Sequence, residues 1–360
     1  MKKILVVLTG GTIGSRVEKE QIDVTDASPL YLLELYRETY GSGIEFEVIQ
    51  PLNILSENMN LQFLSRIAQV MWEIPYEKYE GVIVTHGSDT LSYTSALLGM
   101  LLCHVPVPVV LTASNYPLGE KGSNGLANFR SAVELISTHL FKGVFSIYQN
   151  QKGENNVYLA TRLTEADAYL DQFGGFGGIA FGKIEDGGFQ YNESAVNPTL
   201  SQIREKRAAI TDYCPVFKRP ILMLRAYPGL DYRMIDLHTE PAAVLHCLYH
   251  SATACTEGEN NSILEFMERC SKKGIPVYAA SAKQAEGKKY VTAKAIQDKG
   301  AVLLENISPE AAYAKLLLLH NLKSGEELSR CLGETFYFEN LPFPGKLAEN
   351  TLLFTGWGKL

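Results

Sequence analysis

The chain has 360 residues, of which 46% are apolar and 20% charged, and a net charge of −7. That length exceeds what one hydrophobic core organises, so two domains are expected. The acidic balance, without any Lys/Arg run, argues against nucleic acid as a partner. No apolar stretch reaches the ~20 residues that a membrane-spanning helix needs, so no membrane is expected either.

The first predicted strand is Ile4–Leu8. It is too short for the apolar core of a signal peptide, and Gly10-Gly11 follows at once, so the expected address is cytoplasmic. Leu61 to Trp72 places Leu61, Leu64, Ile67, Ala68 and Met71 on one helical stripe. Strands are predicted at Val82–Thr85, Val107–Thr112 and Val144–Tyr148, with a helix over Asn128–Ile136. Gly174 to Gly178 is a flexible patch, and Ile179–Ile184 reads as strand again. The polar stretch from Glu185 to Lys218 contains the expected linker, set at 191–218 after an N-terminal domain over 1–190. Within it, Ser201–Ala208 has a helical pattern.

Further strands are predicted at Ile221–Leu224, Val244–Leu248 and Val277–Ala280, with a helix over Ile263–Cys270. Ser308-Pro309-Glu310 marks a helix start, Ser as N-cap and Pro at the first helical position, running to His320. These make a C-terminal domain over 219–328. The last segment, 329–360, is rich in aromatics (Phe336, Tyr337, Phe338, Phe343, Phe354, Trp357) and is expected to pack against another surface. Continuous Val/Ile/Leu strands alternating with helices indicate an α/β fold. The expectation is a larger N-terminal, mostly parallel α/β domain followed by a smaller C-terminal α/β domain. The six cysteines show neither CxxC pairs nor metal spacing, so no metal and no cofactor are implied.

Ligands of parallel α/β sheets bind beyond the carboxyl ends of the strands. Two motifs fall there. Thr9-Gly10-Gly11-Thr12-Ile13-Gly14 follows the first strand, and Thr85-His86-Gly87-Ser88-Asp89-Thr90 follows Val82–Thr85. Alone, the first is compatible with close helix packing or phosphate binding, and the second with a turn capped by Thr90. The spacing lacks the G-x-G-x-x-G fingerprint, and Gly-Lys-Ser or Gly-Lys-Thr is missing, which excludes a P-loop. Together, hydroxyls and an Asp on loops from separate strands suit nucleophilic attack on an amide carbonyl, with glycine-turn N–H groups as an oxyanion hole.

On these residues the chain resembles the bacterial-type L-asparaginases, especially the cytoplasmic type I branch. Thr9–Gly14 looks like the first active-site signature of that family, and His86–Thr90 like the second, with Ser88 in place of a threonine. Leu55-Ser56-Glu57-Asn58-Met59 resembles its substrate-binding segment. Leu111–Ser114, Ser123–Gly125, Asn128, Arg225–Gly229 and Ile307–Ala312 also match, so the resemblance runs from residue 3 to about residue 322. It implies hydrolysis of L-asparagine to aspartate and ammonia without a cofactor, in a homodimer or homotetramer. By that likeness Thr12 is the nucleophile, Ser88 the second catalytic hydroxyl, Asp89 and Ser56 bind the substrate's α-amino and α-carboxylate groups, and Glu57 also contacts substrate.

Two further departures accompany Ser88. In the segment Thr161–Asp167, Arg162 takes the place of the family's catalytic lysine. An arginine stays protonated and cannot act as a base, but can form a bidentate pair with Asp89. The loop Arg16–Val24 carries no tyrosine where the family usually has one, and Gln21 sits nearest. Three readings stay open: an asparaginase, a catalytically weak or silent amino-acid-binding homologue, and a hydrolase of a related amide or a D-amino-acid substrate. The amidase subunit of a tRNA-dependent amidotransferase shares the resemblance, but nothing basic here suggests tRNA.

Overall fold

The computed structural model describes residues 3–14, 16–18, 21–23, 28–282, 289–342 and 357–358, with backbone alone at 14, 16–18, 21–23, 28–30 and 357–358. The chain divides into two units. The larger runs to Val216 and takes back Phe336–Phe338; the smaller covers Phe217–Thr335 and resumes at Glu339.

The strands of the larger unit are β1 (Lys3–Leu8), β2 (Arg16–Glu18), β3 (Gln21–Asp23), β4 (Glu45–Ile49), β5 (Gly81–Thr85), β6 (Pro108–Thr112), β7 (Gly143–Gln149), β8 (Asn155–Leu159), β9 (Gly182–Glu185) and β10 (Gly188–Asn192). Its helices are α1 (Ser28–Tyr40), α2 (Leu61–Glu73), α3 (Leu91–Leu101), α4 (Gly125–Ser137) and α5 (Leu200–Arg204). Strands β4-β1-β5-β6-β7 lie side by side and parallel. Beyond β7 the sheet continues antiparallel through β8, β9 and β10 to the short pair at Trp357–Gly358. Strands β2 and β3 form a separate antiparallel ribbon.

Strands β1, β5 and β6 are buried almost throughout, as their unbroken Val/Ile/Leu runs require. Two elements escape a periodicity search. Helix α3 is buried nearly all round, Ser92, Thr94 and Ser95 included, so no apolar stripe marks it. Strand β4 alternates Glu45-Phe46-Glu47-Val48 at the sheet edge and is half-buried. The stretch expected as a linker contributes instead to the larger unit: β10 ends at Asn192, α5 forms with a Thr199–Gln202 capping box, and Ile203 is in the core. The division between the units falls after Val216.

Part of the aromatic tail belongs to this unit. Tyr337 is buried, its ring 6.4 Å from that of Phe145 and its hydroxyl donating to the Lys142 carbonyl at 3.1 Å. Phe343 and Phe354 lie outside the described residues.

The smaller unit has the parallel strands β11 (Ile221–Arg225), β12 (Ala243–Cys247), β13 (Val277–Ala282) and β14 (Val302–Glu305), paired in that order. Helices α6 (Ile263–Lys272), α7 (Val291–Asp298), α8 (Pro309–Leu322) and α9 (Gly325–Leu332) complete it. Ser308 caps α8 as its sequence indicates, its Oγ accepting from the Ala311 N–H at 3.1 Å. Among the described residues, no helix is long and apolar enough to cross a membrane.

Candidate active site

Three loops meet at the carboxyl ends of β1 and β5, and glycines are what let them meet. The Gly11 N–H donates to the Ile54 carbonyl and the Ile54 N–H to the Thr9 carbonyl, at 3.0 and 3.1 Å. Gly10 and Gly11 have φ of 101° and 77°. A Cβ on Gly10 would lie 2.3 Å from the Ile54 oxygen, and one on Gly11 2.4 Å from the Gly87 nitrogen. A Cβ on Gly87 would in turn strike Ser56 Oγ at 2.4 Å. The turn carrying Thr12 is thus pressed against the turn carrying Ser88, and both against the segment carrying Ser56.

Side chains lock this arrangement. Thr9 Oγ1 donates to the Thr85 carbonyl at 2.9 Å, and Ser56 Oγ donates to Asp89 Oδ2 at 3.2 Å. Thr90 lies at the N-cap of α3 without capping it; its hydroxyl donates to the Ser56 carbonyl at 3.0 Å instead. This corrects the expected cap, because joining two loops satisfies a carbonyl that the helix start has no use for. His86 is fully buried, with Nδ1 2.8 Å from the Gly87 carbonyl, and desolvation holds its pKa below the usual histidine value. Burial thus favours the uncharged ring. Asn128 braces the next strand end, donating to the Ala113 carbonyl and accepting from the Gln149 N–H.

Beside Ser88 and Asp89 opens a cavity of about 340 Å³, within the size range of small-molecule sites. Asn115 and Tyr148 line one part of it, and Glu165, Asp167 and Asp171 another. Ser56 is buried next to Asp89, while Glu57 is exposed on the short turn Ser56–Asn58. Thr12 is half-buried on its own turn, Thr12–Gly14. The ribbon β2–β3 follows, with Gln21 at the start of β3; the side chain of Gln21 lies outside the described residues.

Arg162 goes elsewhere. It is buried in the turn Ala160–Arg162, where Gly99 of α3 leaves room for Thr161. Its Nε donates to the Phe338 carbonyl at 2.6 Å and its Nη1 to the Val196 carbonyl at 2.7 Å. The expected fork on Asp89 is replaced by a fork on two backbone carbonyls, which a permanently charged, planar donor suits well. From the same segment, Glu165, Ala166 and Asp167 line the cavity, the first of them three positions on. Glu165 Oε1 accepts the Tyr93 hydroxyl at 2.6 Å. The sequence held a signal for this: Ala160-Thr161 is small and packed, whereas Thr164-Glu165-Ala166-Asp167 is polar and turned outward.

Residues 3–197 match the family described as "Asparaginase, N-terminal". The chain belongs to the asparaginase family. Among relatives, it is 28% identical over 343 residues to a glutamyl-tRNA(Gln) amidotransferase subunit of Metallosphaera sedula, covering 92% of this chain and 75% of that one. It is 26% identical over 333 residues to L-asparaginase 1 of Escherichia coli K12, covering 90% and 93%. The thermostable L-asparaginase of Thermococcus kodakarensis superposes with a TM-score of 0.75 at 21% identity, covering 94% of this chain and 99% of the other, a likeness of fold. The asparaginase-family membership supports an amidohydrolase, and the strand-end loops described above are where the family signatures fall.

Proposed function

We propose that the chain hydrolyses L-asparagine to L-aspartate and ammonia through an acyl-enzyme on Thr12. The observation that carries this reading is the convergence of the Thr12 turn, Ser56, Ser88 and Asp89 at two parallel strand ends in a chain of the asparaginase family. Thr12 Oγ attacks the side-chain carbonyl carbon, the C–N bond breaks and ammonia leaves. Water then attacks the ester, giving aspartate and restoring the hydroxyl. An oxyanion hole would draw on N–H groups other than that of Gly11, which serves the Ile54 carbonyl. Asp89, fixed by Ser56, and Ser56 itself hold the substrate's α-amino and α-carboxylate groups, and Glu57 is a further substrate-contacting position. The same reading gives a cytoplasmic homodimer or homotetramer that needs no cofactor.

Purified protein incubated with L-asparagine is expected to release ammonia, and Thr12→Ala to reduce release to background. Release unaffected by that substitution overturns the nucleophile assignment. One observation favours a second reading, a related amide as substrate. Four carboxylates, of Asp89, Glu165, Asp167 and Asp171, line the cavity beside Ser88, and they repel a substrate carboxylate placed there. An amide panel in which asparagine is the poorer substrate would establish it.

A further inference from the structure

We propose that Glu165, held by Tyr93, is the proton-accepting group of the site, in the role the family gives to a lysine. This rests on the amide-hydrolase reading above and adds the residue that moves the proton. The observations are geometric. Glu165 lines the same cavity as Ser88 and Asp89. Arg162, which the sequence puts in the lysine's place, is committed to the carbonyls of Phe338 and Val196. Among the described residues that line that cavity there is no lysine, arginine or histidine, and carboxylates are its strongest proton acceptors.

Two of the other three carboxylates are engaged: Asp89 receives Ser56 Oγ, and Asp167 Oδ1 accepts the Tyr169 and Leu170 N–H groups, shaping its own turn. Asp171 lines the cavity at the end of that turn. Glu165 is held through a side chain: Tyr93 lies in the first turn of α3, directly after Ser88-Asp89-Thr90, and donates its hydroxyl at 2.6 Å. The element that begins with the second catalytic hydroxyl therefore also orients the carboxylate.

The proton balance closes without an added reagent. As Thr12 Oγ bonds to the carbonyl carbon, its proton passes through Ser88 to the Glu165 carboxylate, and from there to the departing nitrogen, which leaves as ammonia. In the second half, the attacking water yields a proton along the same route, and it returns to Thr12 Oγ as the ester C–O bond breaks. Tyr93 is a positioning residue: it touches Glu165 and not the reacting atoms.

The test is the pH profile of ammonia release by wild type, Glu165→Gln, Glu165→Asp, Glu165→Lys and Tyr93→Phe, with circular dichroism confirming the fold of each. Glu165 is exposed, so the substitutions leave the core alone. Glu165→Gln is expected to lower kcat by ~10²–10⁴-fold with KM little changed, and Glu165→Asp to recover part of the loss. Glu165→Lys needs a neutral amine, so its activity should rise only toward alkaline pH. Tyr93→Phe removes the group that positions the carboxylate and should lower kcat by less than Glu165→Gln does, with KM little changed. A Glu165→Gln protein with wild-type kcat overturns the proposal while leaving the amide-hydrolase reading intact. Wild-type protein that hydrolyses no amide overturns both.

Discussion

Polar groups are used in opposite ways in the two units. In the larger, they gather near strand ends, as Ser88, Asp89 and Glu165 around an open cavity, with Ser56 behind them donating to Asp89. In the smaller, they are turned on one another inside the core. Tyr232 OH meets His246 Nε2 at 2.7 Å, His320 Nε2 meets the Tyr278 hydroxyl at 3.0 Å, and Lys315 pairs with Glu339 at 3.2 Å with both side chains almost completely buried. A buried polar group must have a partner, and the partner decides its use. Protein partners spend that capacity on holding one packing; strand-end groups keep it for a ligand. The parallel sheet is common to both units, and what separates them is the loops: glycine turns that let backbones touch at one, and ordinary connections at the other.

The contrast is broken most forcefully at the buried ion pair. Glu339→Ala leaves the Lys315 ammonium without its buried counter-charge and should cost about 3–5 kcal/mol, read as a lowered urea midpoint. A change below about 1 kcal/mol would show that the pair is not buried as described.

Acid should come next. Burial, the larger cause for both, depresses His246 and His320 to a pKa of about 4. Their unfolded value is about 6.5, so between those limits the unfolded state binds more protons. Stability is therefore fully present above about pH 6.5 and is lost as pH falls toward 4, by up to about 3 kcal/mol for His246. Urea unfolding at pH 7 and pH 4.5 measures this, and His246→Gln should flatten the difference. Coincident curves for wild type would sink the claim that these rings are held neutral.

The smallest effect sharpens the contrast inside the larger unit. Arg162→Met removes the donors to Val196 and Phe338 and should cost about 2 kcal/mol. Thermal unfolding reads it; an unchanged Tm would mean that the guanidinium does not clasp the chain.

Much of the fold was legible because burial imposes a pattern. Strands such as β5 and β6 are covered on both faces and read as unbroken apolar runs, and α2 shows its stripe because one face is wet. Helix α3 has no wet face and β4 sits at an edge, so neither pattern holds. At the site, the strand-end position of the loops carrying Thr12 and Ser88-Asp89 was legible because glycine turns and adjacent hydroxyls mark such ends. Arg162 was misread for a physical reason. Side chains three residues apart in a tight turn can face opposite ways, and only the packing of Thr161 against Gly99 shows that Arg162 points inward and Glu165 outward. The anchoring of Phe336–Phe338 could not be read, since it joins residues 176 apart.

That anchoring bears on how the molecule is made. Synthesis delivers residues up to Val216 first, then the whole of the smaller unit as far as Thr335, and only afterwards Tyr337 and Phe338, whose carbonyls receive Thr161 Oγ1 at 2.5 Å and Arg162 Nε at 2.6 Å. A nascent chain halted at the boundary after Val216 lacks the buried Tyr337 ring and both acceptors. The larger unit, begun first, is thus the last to be completed, and most of the smaller unit emerges from the ribosome as an insertion between its two instalments.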